Sequence, residues 1–319
     1  MLFQIIKIPA RFALRIFCRK IIVNNKNILA QEGPLLIASN HPNSFLDAII
    51  LACLFKKPIY SLARGDSFKN KWVTKILLGL NILPVYRLSE GAENLNSNYD
   101  TFSKCREIFK KNGIVLIFSE GLCINEWKLR PLKKGTARLA FSSWEEGIDL
   151  TILPAGINYH SFTSFGKNVH INFGEPFSWK DFDNKKIDGA IVNEFNQKLK
   201  SDLIKLVDHF EKDDMLSLKN KYGVQHASLK KAILYFPSIL GKWLHAPLYV
   251  PIQKWSWKTV GKHDHYDSVL VGLLFLLYPI YLSLIALLIY FFVGNLFWMI
   301  PFAVLPFLAW SFVQLKKDF

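Results

Sequence analysis

Short apolar runs alternate with helix-like stretches between residues 24 and 200, and this alternation predicts an α/β layer domain. Two further observations predict that the domain works at a membrane. Residues 268–315 contain no Asp, Glu, Lys or Arg. The chain also carries 40 Lys and Arg against 25 Asp and Glu, a formal charge of +15 in 319 residues that are 51% apolar. This composition excludes a disordered chain, a collagen-like fibre and a small disulfide scaffold. A basic, apolar chain of this kind suits a soluble part that faces acidic lipid or an anionic substrate.

The elements follow in order. In residues 1–23, Lys7, Arg11, Arg15 and Arg19 recur every four positions, and no acidic residue precedes Glu32. On a helix these cations make one basic stripe, with Phe3, Ile6, Phe12, Ile16 and Phe17 beside it. The pattern predicts an interfacial helix lying on anionic membrane lipid. A soluble helix with a solvated face fits the same pattern. In residues 24–200, apolar runs at 35–38, 59–63, 114–118, 150–157 and 169–173 read as strands. Stretches at 45–54, 69–80, 99–111, 136–146 and 189–208 read as helices. Residues 201–265 are more charged and aromatic, and read as a helical juxtamembrane region. Trp243, Trp255 and Trp257 there suit an interfacial belt. Residues 266–315 have room for two spans of about 20 residues each, with a turn near Gly294 and Asn295. Lys254, Lys258 and Lys262 precede the stretch, and Lys316 and Lys317 follow it. Both flanks are therefore expected on the cytoplasmic side of the cytoplasmic membrane, with a transmembrane hairpin between them. Cys18, Cys53, Cys105 and Cys123 form no C-x-x-C pair and read as free thiols in a reducing compartment.

The sharpest chemical signal is Ser39-Asn40-His41-Pro42-Asn43-Ser44-Phe45-Leu46-Asp47, between an apolar strand and a predicted helix. Six positions apart on one helix, His41 and Asp47 would point to different faces. With His41 in the loop and Asp47 in the first turns, the carboxylate reaches back to one imidazole nitrogen. That arrangement fixes the tautomer and stabilises the imidazolium when the other nitrogen takes a proton. It is the base half of a triad without its serine, so the nucleophile would be a substrate hydroxyl. Ser44-x-x-Asp47 also has capping-box spacing, so a helix cap beside a polar loop histidine is an open alternative.

Other signals are individually weak. The strand at 114–118 ends in Ser119-Glu120-Gly121, and ligands gather at strand carboxyl ends in open sheets. Arg130, Lys133, Lys134 and Arg138 surround Gly135 at a predicted helix start, a pattern that fits either a phosphate cradle or surface charge. Leu83-Pro84-Val85-Tyr86-Arg87 is a short extended piece ending in a cation. Pro154 interrupts the apolar strand at 150–157. His263-Asp264-His265-Tyr266-Asp267 is rich in potential metal ligands, but no fold-placed ligand set accompanies it, and no metal is expected. No nucleic-acid-binding motif is present, so no nucleic-acid partner is expected.

In this order and spacing, these segments resemble the four blocks of the glycerolipid acyltransferases, the family that acylates glycerol-3-phosphate and 1-acylglycerol-3-phosphate. The family's blocks are N-H-x4-D, a block ending in Arg, F-P-E-G-T-R, and an apolar block with Pro. The resemblance spans roughly residues 30–180. It implies a sheet flanked by helices, with His41 as general base and Asp47 orienting it. It also implies that Asn43, Arg87, Glu120 and Gly121 hold the acceptor, and that Pro154 shapes the acyl-chain side. The donor implied is acyl-CoA or acyl carrier protein, and no cofactor is needed. Two departures stand out. Five residues separate His41 from Asp47, and Ser119, Leu122 and Cys123 replace the Pro, Thr and Arg of the third block. The missing arginine makes Arg130, Lys133 and Lys134 the candidates to meet an acceptor phosphate. It also keeps two alternatives open: a different acceptor such as an amino-acid lyso-lipid, and a silent lipid-binding protein on the same fold.

Overall fold

The computed structural model describes residues 2–86, 96–182, 189–211, 214–223, 228–293 and 297–316. Its centre is a seven-stranded sheet with strands β1 (Cys18–Val23), β2 (Leu35–Ser39), β3 (Ile59–Arg64), β4 (Ile82–Val85), β5 (Ile114–Phe118), β6 (Thr151–Tyr159) and β7 (Lys167–Phe173). The spatial order is β1-β7-β6-β2-β5-β3-β4. All neighbours run parallel except β6 and β7. The five strands expected from apolar runs are all present.

Strand β2 lies between β5 and β6, and all five of its residues are buried. A parallel strand covered on both faces must be apolar throughout, and this one is. Its side chains alternate between two cores. Leu35 and Ile37 join Ile114, Leu116 and Leu153 on one face, under helices α1 (Leu2–Phe17) and α2 (Phe45–Leu54). Leu36 and Ala38 join Val115, Ile117 and Ile152 on the other, under α5 (Gly135–Glu145) and α6 (Gly189–Leu206). Helix α6 shows why it forms there: Ile191, Phe195, Leu199 and Leu203, spaced by four, are its buried stripe. Helices α3 (Lys71–Gly79) and α4 (Asn96–Lys110) complete the layered part.

Three sequence expectations change. The N-terminal helix ends at Phe17, and residues 18–23 are edge strand β1, paired in parallel with β7. Three of the four stripe cations also bond carbonyls of the protein, while Arg15 is exposed. Lys7 Nζ donates to the Phe55 carbonyl at 2.7 Å, and Arg11 Nε donates to that of Cys53 at 2.5 Å. Both satisfy orphan carbonyls at the C-terminus of α2, where the helix dipole favours a cation. Arg19 is buried on β1 and donates to the Val313 carbonyl at 3.0 Å and to that of Lys316. The outward side of α1 carries Ile5, Ile8 and Phe12 instead. Thus Lys7, Arg11 and Arg19 cap helices, and the exposed side of α1 is largely apolar, with Arg15 beside it.

Beyond α6 lie α7 (Met215–Tyr222), α8 (Ser228–Val260), α9 (Tyr266–Val293) and α10 (Ile300–Leu315). Among the described residues one helix, over Tyr266–Phe292, is long and apolar enough to cross a membrane, with a mean hydropathy of 2.4. Helix α10 has 16 residues, short of a full span. The turn expected near Gly294 and Asn295 lies outside the described residues.

Candidate active site

Strand β2 delivers Ser39 to the carboxyl edge of the sheet, beside Phe118 of β5 and Ala155 of β6. The chain then makes a five-residue loop before α2. Asn40 fixes the loop's start: its amide side chain donates to the Ile157 carbonyl at 2.9 Å and accepts from the Ile157 N–H at 2.8 Å. This two-point tie to β6 leaves the next residue in one orientation.

His41 Nδ1 lies 2.8 Å from Asp47 Oδ2, and the imidazole stacks on the Phe118 ring at 3.8 Å between centroids. Its side chain is 18% exposed, whereas that of Asp47 is fully buried. Nε2 has no hydrogen-bond partner among the described residues. Asp47 Oδ2 also accepts the Asn43 N–H at 2.8 Å, and Oδ1 accepts the Tyr159 hydroxyl at 2.7 Å. Three donors on one buried carboxylate offset its loss of water. Burial, together with the Asp47 charge, holds the Tyr159 hydroxyl well above the ordinary tyrosine range, so it stays a donor. The capping-box alternative does not hold, because Ser44 makes no side-chain cap bond. Its hydroxyl is instead paired with His265 Nδ1 at 2.7 Å.

Glu120 follows β5 and is almost fully buried. Its Oε2 accepts the His41 N–H and its Oε1 the Arg130 N–H, both at 2.7 Å. Burial raises its carboxyl above the usual range, while the two amides and the nearby His41 oppose the rise. Both oxygens are therefore engaged by backbone, and Glu120 ties two loops together. Asn43 is also tied within the protein. It is fully buried, and its Nδ2 donates to Asp267 Oδ2 at 2.7 Å. Gly121 turns the chain at φ +66°, and an added Cβ would lie 3.0 Å from Lys133 Cγ. A glycine there satisfies both conditions.

The cations divide. Arg130 pairs with Glu126 at 3.4 Å. Lys133 and Lys134 are exposed at the start of α5, and the Lys133 N–H donates to the Ser119 carbonyl at 2.7 Å, which places this stretch beside the end of β5. Arg87 lies outside the described residues. Pro154 is buried in β6 opposite Ala38. Its missing N–H falls on the side where β7 has ended and the 174–177 segment takes over. There Gly174 N–H donates to the Pro154 carbonyl at 3.0 Å, and Ile152 exchanges backbone bonds with Phe177. That break in the ladder is what admits a proline into a central strand.

Sequence reasoning missed Tyr159, which completes the Asp47 shell, and the residues of the 264–268 segment that reach the loop. No local pattern marks either, because both contacts join positions more than a hundred residues apart.

A family model described as "Acyltransferase" matches residues 20–158. A chloroplastic 1-acyl-sn-glycerol-3-phosphate acyltransferase of Brassica napus is 24% identical over 48% of this chain and 42% of its own length. The chain thus spans less than half of that relative. A 1-acyl-sn-glycerol-3-phosphate acyltransferase of Bacillus subtilis is 25% identical over 56% of this chain and 85% of its own length. A crystal structure of the 1-acyl-sn-glycerophosphate acyltransferase PlsC from Thermotoga maritima superposes with a TM-score of 0.46 at 15% identity, covering 64% of this chain and 78% of that one.

Proposed function

We propose that this chain, whose residues 20–158 match an acyltransferase family model, moves a fatty acyl group from a thioester donor to a hydroxyl of 1-acylglycerol-3-phosphate or glycerol-3-phosphate. The observation that carries the reading is the His41–Asp47 pair, buried on the Asp47 side and open at Nε2. Its imidazole has no side-chain nucleophile hydrogen-bonded at Nε2 among the described residues, so the hydroxyl it serves is the acceptor's.

His41 Nε2 takes the acceptor's proton as the oxygen attacks the thioester carbonyl. The tetrahedral intermediate collapses, the C–S bond breaks, and the imidazolium returns its proton to the leaving thiolate. The products are an ester and a free thiol, with His41 neutral again. Asp47 stabilises the imidazolium and fixes its tautomer. The donor is acyl-CoA or acyl carrier protein, and the balance of the step requires no metal or redox cofactor. Lys133 and Lys134 supply the charge for the acceptor phosphate.

The membrane reading rests on the apolar surface of the helices. Helix α9 exposes Leu276, Ile280, Leu284, Leu288 and Phe291 along its length. The N-terminal helix lies in the interface with its apolar side, Ile5, Ile8 and Phe12, toward lipid. Both ends of the α9–α10 pair attach to the α/β domain, Asp267 to Lys167 and the Lys316 carbonyl to Arg19. That attachment supports a hairpin that leaves and returns to one face of the cytoplasmic membrane.

The test is acyl transfer by membranes containing the full chain. Long-chain acyl-CoA and acyl carrier protein are each offered with glycerol-3-phosphate, 1-acylglycerol-3-phosphate and an amino-acid lyso-lipid. Product with a phosphate acceptor supports the reading. Product with the amino-acid lyso-lipid alone moves the acceptor class, in line with the missing third-block arginine. No product from folded protein contradicts it.

A further inference from the structure

The link between α8 and α9 is not a passive connection. Four polar side chains between Asp264 and Ser268 make contacts here, and three of them reach the loop that carries His41 or its neighbour. His265 Nδ1 pairs with Ser44 Oγ at 2.7 Å, Asp267 Oδ2 accepts from Asn43 Nδ2 at 2.7 Å, and Ser268 Oγ accepts the Leu46 N–H at 3.3 Å. Asp264 Oδ1 accepts the Asn125 N–H at 2.8 Å, beside Cys123, whose sulfur in turn accepts the Ser44 N–H at 2.9 Å. Asp267 is buried and ion-paired with the equally buried Lys167 of β7, which anchors the link to the sheet.

These contacts converge on a residue that needs holding. Ser44 has φ 52° and ψ −138°, a conformation that side-chain-bearing residues rarely adopt. It sits between His41 and Asp47, where the chain carries one residue more than the N-H-x4-D pattern. Local sequence offers no glycine to make the turn, and Ser44 makes no cap bond to its own helix. What holds it is Cys123 on its amide and His265 on its hydroxyl.

We propose that His265 is a positioning residue: it fixes Ser44 in its left-handed conformation, so that the first residue of the membrane helix region sets the geometry of the His41–Asp47 pair. The inference rests on the acyltransferase reading for its kinetic consequence and on the loop geometry for its structural one. It makes the seating of α9 a condition for assembling the base. His265 itself is on the surface, so its removal spares the core.

The test uses the full chain in detergent micelles, with two readouts. Hydrogen exchange over residues 41–48 reports on the loop whether or not the substrate is known. Transfer from long-chain acyl-CoA to 1-acylglycerol-3-phosphate gives kcat and KM. His265→Ala is expected to speed exchange of the Ser44 and Leu46 amides at least tenfold. It is also expected to lower kcat at least tenfold with both KM values within twofold. Ser44→Ala should reproduce these effects without adding to them in the double variant. Ser44→Gly placed on His265→Ala should restore kcat to within threefold of wild type, because glycine adopts φ 52° unaided. Unchanged exchange in folded His265→Ala overturns the inference. So does a change in KM alone, or a failure of Ser44→Gly to restore kcat. If the wild type transfers nothing, the acyltransferase reading fails while the exchange result still decides whether His265 holds the loop.

Discussion

The loop that carries His41 and the stretch that carries the exposed lysines lie along the same edge of the sheet, and they are held in opposite ways. From Asn40 to Asp47, the polar side chains around His41 are tied to partners far away in the chain: Asn40 to β6, Asn43 to Asp267, Ser44 to His265 and Asp47 to Tyr159. From Lys128 to Lys134 the backbone is irregular, and the cations stand in water with at most one surface carboxylate for company. Proton transfer requires a base held within a few tenths of an ångström and the right tautomer. Holding a phosphate requires positive charge that can adjust to the ligand. Glu120 joins the two regions, with one oxygen on each.

That contrast predicts where substitutions act. Asp47→Asn breaks the rigid side at its centre. An amide cannot balance an imidazolium, and its NH2 group would face donors on Tyr159 or Asn43. We expect kcat to fall about a thousandfold with little change in KM, read from steady-state transfer. Glu120→Gln leaves one of the two backbone N–H groups facing another donor. The cost of such a buried mismatch is about 1–3 kcal/mol. A loss in kcat of about tenfold with the acceptor KM unchanged would mark Glu120 as a loop tie, whereas a raised KM would return it to acceptor binding. On the adaptable side, Lys133→Ala with Lys134→Ala should raise the acceptor KM about fivefold and leave kcat alone, since each exposed charge contributes about 0.2–1 kcal/mol. An unchanged KM would remove both from phosphate recognition.

The smallest effect is on stability and lies away from both regions. Burial, aided by Lys167, Arg19 and Lys316, pushes His160 down to about 3. The unfolded chain therefore binds a proton that the folded chain does not. Stability tied to His160 is intact above about pH 6.5 and is lost as pH falls toward 3. At pH 5 the loss is about 2 kcal/mol. Denaturant unfolding at pH 7 and pH 5 reads it, and His160→Gln should flatten the difference.

The sheet was legible because parallel strands buried on both faces must be unbroken apolar runs, as in β2 and β5. Strand β1 was not, because Arg19 reads as the continuation of a helical stripe. Only the C-terminal carbonyls of α10 explain a buried arginine there. The His41–Asp47 pair was legible because its contact spans six residues. The contacts of Asn43 and Arg130 were not legible, because they are made with partners that the motif does not contain. Asp267 is 224 positions from Asn43, and no periodicity announces such a contact.

The central claim is that His41 is the base of an acyl transfer. Its most direct test compares wild type with His41→Ala in single-turnover transfer from long-chain acyl-CoA to 1-acylglycerol-3-phosphate, with hydrogen exchange confirming that the variant is folded. The account predicts a rate lower by about a thousandfold or more, with donor and acceptor still bound. A folded variant that transfers at the wild-type rate would contradict it.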